Sequence, residues 1–288
     1  MKSTVLKTRF TSVLLAASLI VAAGTGYAQD KNPKPDSPRA ENQAPGAMPA
    51  IDQRALDLLK KMSDTLDQSK TLSFKARSLV PRRGPGGIWI SLLGSSRVIR
   101  EGRSKLYDET RGDFFPYDFY YDGSKITAFT PGKNLYAEKD APGTIDDLIE
   151  RISREEGKVF PYADILISDP YKLLTTGLES ALFVGQSTLA GTKANHLAFS
   201  NPGVDWQIWI GADDNLPRAV NATYLTHSKE PSYTVEFTDW KINEPVPPET
   251  FVFKNTSNAA KVEFKIPNAA LAKNAGQQGP QSLQTAKS

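Results

Sequence analysis

The sequence predicts an α+β domain: a single strongly curved antiparallel sheet, or incomplete β-barrel, with helices covering its concave face. Three observations carry that expectation. An amphipathic helical segment precedes a long series of period-two segments, a helical stretch interrupts that series midway, and several strands are apolar on both faces.

Ile51, Ala55, Leu58, Leu59, Met62 and Leu66 recur at helical spacing among Asp, Lys and Arg, so residues 52–68 read as one amphipathic helix. From Thr71 to Glu138 the period becomes two, with extended runs at Leu72–Val80, Ile88–Arg100, Lys105–Glu109, Tyr117–Tyr121, Lys125–Thr130 and Asn134–Glu138. Asp122-Gly123 fits a tight primed turn, because Gly supplies the positive φ that such a turn needs. The pattern breaks at Ala141-Pro142-Gly143. Thr144 then caps a helix whose apolar positions Ile145, Leu148, Ile149 and Ile152 share one face. Shorter helical stretches follow at Tyr162–Ile167 and Pro170–Leu178. Strand period returns at Ala181–Leu189, His196–Ser200, Asp205–Ile210, Arg218–Thr226 and Ser232–Ile242, and Phe251 with Phe253 reads as a closing strand. In Ile88-Trp89-Ile90-Ser91-Leu92-Leu93 and Trp206-Gln207-Ile208-Trp209-Ile210, neighbouring bulky side chains point opposite ways and need cover on both sides. A sheet curled around helices or around a ligand supplies it.

The two ends of the chain differ from this core. Lys2, Lys7 and Arg9, an apolar run from Phe10 to Ala23 and the small-residue site Gly26-Tyr27-Ala28 give residues 1–28 the layout of a cleaved secretory signal peptide. The run is shorter than the roughly 20 residues of a spanning helix. The expectation is therefore a periplasmic protein with no transmembrane anchor after cleavage, and no cysteine follows the site to accept a lipid. Residues 29–50, with Pro33, Pro35, Pro38, Pro45 and Pro49, read as a disordered linker, and residues 268–288 as a disordered tail. The 217 residues between them, 51–267, suffice for one hydrophobic core.

The formal charge of +3 includes the three basic residues of the leader, whose removal leaves 32 basic and 32 acidic side chains. A protein that neutralises nucleic-acid phosphates needs a concentrated basic excess, so nucleic acid is excluded as a partner. The densest basic group, Arg82-Arg83 beside Gly84-Pro85-Gly86-Gly87, reads as a solvated hairpin tip. With no cysteine in the chain, thiol and disulfide chemistry are excluded.

Asn134-Leu135-Tyr136-Ala137, Ala141-Pro142-Gly143-Thr144-Ile145-Asp146 and Pro161-Tyr162-Ala163-Asp164 carry a family resemblance, and so above all does Asn201-Pro202-Gly203-Val204-Asp205-Trp206-Gln207-Ile208-Trp209-Ile210 with Leu216-Pro217-Arg218. Over Ile51 to about Phe253 the sequence resembles the bacterial predicted periplasmic proteins grouped as domain of unknown function 2092. The resemblance implies the fold of the outer-membrane lipoprotein carriers, an incomplete barrel holding helices over an apolar cavity. It brings no activity with it. Members of the wider fold carry acyl chains or sense lipoproteins, which implies a lipid or lipoprotein acyl chain as partner.

Catalytic and metal patterns are weak. His196 and His227 are the only histidines, and neither has a second ligand at metal spacing. A hydrolase would need one of them as base. Gly185-Gln186-Ser187-Thr188-Leu189 lacks the closing glycine of a nucleophile elbow. Asp213-Asp214-Asn215 reads as a hairpin turn, and Asp146-Asp147 as carboxylates at the positive end of a helix. No cofactor or metal motif is present. The aromatic residues Trp89, Phe119, Tyr121, Phe129, Trp206, Trp209, Phe237 and Trp240 all fall on expected strands. Together they exceed what one sheet face under one helix needs, which makes them candidates for lining a ligand cavity. The expected function is thus a non-catalytic carrier or sensor of a lipophilic group. The alternative is an interaction module of an envelope-stress or secretion system that docks a protein partner, and a hydrolase using His196 or His227 ranks third.

Overall fold

Asp52 starts the first helix, α1 (Gln53–Asp67), by accepting the Arg54 N–H at 2.9 Å. The other oxygen of the same carboxylate accepts the Phe183 N–H at 3.2 Å, so one residue both caps the helix and ties it to the sheet. Ala55, Leu59, Met62 and Leu66 fall on one stripe and are fully buried. Each of the three larger side chains contributes about 1.5–3 kcal/mol by leaving water. These and the following observations come from a computed structural model, which describes residues 51–113, 116–156, 162–225 and 232–264. The expected leader, linker and tail, and His227, lie outside the described residues.

The described strands form one sheet. They are β1 (Thr71–Arg83), β2 (Trp89–Glu101), β3 (Lys105–Gly112), β4 (Tyr117–Tyr121), β5 (Lys125–Thr130), β6 (Leu135–Asp140), β7 (Ser180–Leu189), β8 (Thr192–Asn201), β9 (Val204–Gly211), β10 (Pro217–Tyr224), β11 (Ser232–Ile242) and β12 (Ala260–Lys261). Their order is β12-β6-β5-β4-β3-β2-β1-β11-β10-β9-β8-β7, antiparallel throughout except for β12, which pairs parallel with β6. Two meanders, β1 to β6 and β7 to β11, are thus joined along β1 and β11, where Ala76 faces Phe237 and Ser78 faces Val235. The sheet is open, with β7 at one edge and β12 at the other, as expected for an incomplete barrel.

The segment between the meanders supplies the other helices. α2 (Ile145–Glu156) begins with a reciprocal cap. The Thr144 hydroxyl accepts the Asp147 N–H at 3.2 Å, and the Asp147 carboxylate accepts the Thr144 N–H at 2.8 Å. Ile145, Leu148, Ile149 and Ile152 are buried. A 3₁₀ turn at Ala163–Ile165 and α3 (Pro170–Thr175) follow, and the Ser63 hydroxyl of α1 accepts the Tyr171 N–H at 2.9 Å.

Two local expectations are corrected. β4 and β5 join through three residues, Asp122-Gly123-Ser124, instead of a two-residue primed turn. The Asp122 carboxylate accepts the Ser124 and Lys125 N–H groups at 2.9 and 2.8 Å and holds the chain in that wider turn. Phe251 and Phe253 are not on a strand. Pro248–Phe251 is a 3₁₀ turn in a strap that leaves β11 where the Thr71 carbonyl accepts the Asn243 N–H, crosses the outer face, and ends where β12 meets β6. The Phe253 ring sits 5.7, 5.2 and 5.0 Å from those of Tyr120, Phe129 and Tyr136, so the outer face has an aromatic cluster of its own.

Candidate functional site

The face of the sheet that carries the helices holds most of the large buried side chains. On β1 and β11 it is marked by Phe74, Phe237 and Trp240. Strand alternation would put Phe237 and Trp240, three residues apart, on opposite faces. They share one because the pairing register with β1 shifts here, with Asp239 in the left-handed region at φ 55°. This is a β-bulge, which re-aims the residues after it. The Trp240 ring packs 4.6 Å from Phe74, and its indole N–H donates to the Pro217 carbonyl at 2.8 Å. Across β8 and β9, Phe199 and Trp206 stack at 4.2 Å, and the Trp206 indole N–H donates to Asn201 at 2.7 Å.

Polar groups interrupt this apolar surface at defined places. Asp108 on β3 is buried and accepts hydrogen bonds from Tyr162 at 2.7 Å and from Tyr117 and Thr110 at 3.1 Å each. Desolvation pushes its carboxyl up to about 6, against the pull of those three donors. Arg100 on β2 is buried beside it in the sheet. Its guanidinium donates to the carbonyls of Leu66 and Ser69 at 2.7 and 3.1 Å and reaches that of Leu166 at 3.5 Å. It therefore satisfies one C-terminal carbonyl of α1 and one just past its cap, while binding the segment after α2 to the same sheet position. Burial lowers its pKa to about 10, so it stays charged at neutral pH.

Over β10 and β11 the surface is less complete. Tyr224 and Tyr233, with ring centroids 6.3 Å apart, are half-buried. Desolvation raises both hydroxyls, with the charge of Asp164 as the next cause. Asp164 is itself half-buried, and burial alone pushes its carboxyl up to about 6. None of the three side chains has a hydrogen-bond partner among the described residues. Tyr224 and Tyr233 share the parity of the inward Ala222 and Val235, and Asp164 of the 3₁₀ turn is close enough for its charge to act on both.

The eight aromatic candidates divide by face. Phe119, Tyr121, Trp206 and Phe237 are buried against the helices, and Trp240 packs on them half-exposed. The Tyr121 hydroxyl donates to the Gly143 carbonyl at 2.8 Å. The other three point elsewhere. Trp209 lies on the outer face, stacked on His196 at 4.2 Å. Phe129 belongs to the outer cluster under Phe253, and Trp89 sits at the β1–β2 hairpin tip with the Arg83 guanidinium 4.2 Å above its ring. Sequence reasoning passed over Arg100, Asp108, Tyr224 and Tyr233. Their signal was register: each shares its strand's parity with an inward apolar neighbour such as Val98, Leu106, Ala222 or Val235.

Among the described residues no hydrolytic arrangement forms around His196. Its Nε2 is 2.8 Å from the Gln207 side-chain oxygen, and Ser187 lies within β7 opposite Ala194 instead of on a strand-to-helix turn. Among the described residues no group of three or more His, Cys, Asp or Glu could hold a metal ion, and no helix is long and apolar enough to cross a membrane.

A search of curated proteins returns no match. Among solved structures, the chain is similar to an uncharacterized conserved protein from Thermus thermophilus, at 11% identity, 73% coverage of this chain and 98% of that one, and a TM-score of 0.42. It is similar to the lipoprotein LppX from Mycobacterium tuberculosis at 13% identity, with 68% and 98% coverage and a TM-score of 0.36. A LolA superfamily protein from Nitrosomonas europaea is 10% identical, with 69% and 97% coverage and a TM-score of 0.32. The sequence itself gives the firmer assignment: over residues 55–265 it matches the model of the family described as Predicted periplasmic protein (DUF2092), and the chain belongs to that family.

Proposed function

We propose that this chain is a periplasmic carrier or sensor that holds a lipophilic group, such as a lipid or lipoprotein acyl chain, between its sheet and its helices. Binding is reversible and involves no covalent step. The observation that supports this reading is the grouping of Tyr224, Tyr233 and Asp164, all half-buried and without a side-chain hydrogen-bond partner among the described residues, beside the helix-bearing face, where the ligand's recess is proposed to lie. Trp240 adds a half-exposed aromatic surface on the same face, backed by the packed floor of Phe119, Tyr121, Trp206 and Phe237. Each methylene moved from water into such surroundings gains about 0.8 kcal/mol, so an acyl chain needs no charged anchor to bind usefully.

Titration with a fluorescent fatty acid and its displacement by an unlabelled one tests the proposal. Saturable displacement is expected, and Trp240→Ala weakens it roughly tenfold while Trp209→Ala, on the outer face, leaves it unchanged. Equal effects of the two variants, or no displacement up to roughly millimolar ligand, would sink the reading.

A second reading, a protein-interaction module, has one observation in its favour. β7 is an edge strand that Ile51 and Asp52 cover only at Ala181 and Phe183, and its Leu182 and Val184 are 56% and 48% exposed.

A further inference from the structure

β1 and β2 are longer than the strands beside them. Pairing of β1 with β11 ends at Leu79 opposite Thr234, and pairing of β2 with β3 ends at Gly94 opposite Gly112. Leu93 still exchanges hydrogen bonds with Asp113 at the base, and from Val80 opposite Leu92 to Arg83 opposite Trp89 the two strands pair only with each other among the described residues. They form a two-stranded finger that extends roughly 13 Å past the sheet at about 3.3 Å per residue. Its tip turns through Gly84-Pro85-Gly86-Gly87, with Gly86 and Gly87 at φ 70° and 77°.

An isolated two-stranded ribbon should be polar to survive in water. This one is not. Ile88 is 63% exposed, Ile90 42%, and Leu79 and Leu93, which face each other at the base where the ribbon leaves the sheet, 44% each. Ile90 shares its face with Arg82, whereas Leu79 and Leu93 share the opposite face with Arg83 and Trp89. Apolar surface on both faces does not suit a groove on a protein partner, which would cover one. It suits a medium that surrounds the ribbon. The charge pattern says which medium. From Thr71 to Arg100 the chain contains no Asp or Glu, and Arg82 and Arg83 at the tip are exposed. An indole with an arginine stacked on it, just behind an apolar tip, is the composition found where lipid headgroups meet acyl chains.

We propose that the β1–β2 finger inserts its tip into the surface of an anionic phospholipid bilayer, docking the protein on a membrane. The apolar residues enter the acyl boundary, and Arg82 and Arg83 pair with headgroup phosphates. This inference does not depend on what the recess binds.

Cosedimentation of the exported protein with vesicles tests it. Binding is expected to phosphatidylglycerol-containing vesicles and not to phosphatidylcholine vesicles, and to weaken as salt is raised. Arg82→Ala with Arg83→Ala should lower affinity for the anionic vesicles by roughly tenfold or more. Ile88→Ser with Ile90→Ser and Leu93→Ser should do the same at any salt concentration. Because the chain has no native cysteine, an environment-sensitive dye can be placed at Ile88→Cys, with Lys193→Cys at the far end of the sheet as control. A blue shift with anionic vesicles at residue 88 and none at 193 supports insertion even where the serine variant folds poorly. No sedimentation of the wild type with anionic vesicles, equal shifts at both sites, or a dye at residue 88 that responds to an envelope protein and not to lipid would overturn it.

Discussion

Trp240 and Phe74 pack with ring centroids 4.6 Å apart, although strict alternation along β11 would turn Trp240 to the other side of the sheet. The bulge at Asp239 makes the contact possible, and it depends on a non-glycine residue held at φ 55°. Asp is among the residues that tolerate this region, helped here by an exposed ion pair to Lys75. Asp239→Gly should be neutral or slightly stabilising, whereas Asp239→Val should cost about 1–2 kcal/mol. Urea unfolding checks the difference, and the valine variant should also lose fluorescent fatty-acid affinity as Trp240 shifts.

Arg100 bridges the sheet to two helical segments through backbone carbonyls. Its truncation to Ala strands those acceptors without water and leaves a void, so Arg100→Ala should cost about 3–5 kcal/mol. Arg100→Met fills the space and should recover part of that loss. If the two variants unfold at the same urea concentration as wild type, the clasp has no energetic weight.

Asp108 and Asp164 both ionise late, at about 6 against an ordinary 3.8. For Asp108 the folded state therefore holds its proton more tightly than the unfolded chain. The stability this provides is full below about pH 4 and is lost as pH rises through 6, by roughly 3 kcal/mol for a shift of about two units. Asp108→Asn removes the titration and keeps a polar group among Tyr117, Tyr162 and Thr110. The variant should gain on wild type by up to that amount between pH 4 and pH 7, measured by urea unfolding across the range. Asp164 titrates equally in both proteins, so the difference isolates Asp108.

Phe253 fastens the strap on the outer face against Tyr120, Phe129 and Tyr136. Phe253→Ala should cost about 2–3 kcal/mol, and hydrogen exchange should rise in β6 and β12. Ligand affinity should not change, since the cluster lies on the opposite side of the sheet from the recess.

Much of the fold was legible in the sequence because long periodic segments carry strong signals. The stripe from Ala55 to Leu66 and the Thr144 cap led directly to α1 and α2. The aromatic residues were harder, because composition does not report face. Trp206 and Trp209 are three apart on a regular strand and diverge, whereas Phe237 and Trp240 are three apart across a bulge and converge. Nothing local in the sequence distinguishes the two pairs. Phe129 finds its partner Phe253 through a strap 124 positions later in the chain, a contact no pattern of short period can announce. Arg100 and Asp108 carried no signal of their own, and only register shows them sharing a face with Val98 and Leu106.

The proposed carrier encloses a lipophilic ligand between sheet and helices. The decisive test is native mass spectrometry of the protein purified from its native host, followed by lipid extraction of the same sample. A bound mass that matches an extracted acyl-bearing lipid is expected, with lower occupancy in a Trp240→Ala preparation. A clean apo mass in the wild type, with no lipid in the extract, would contradict it.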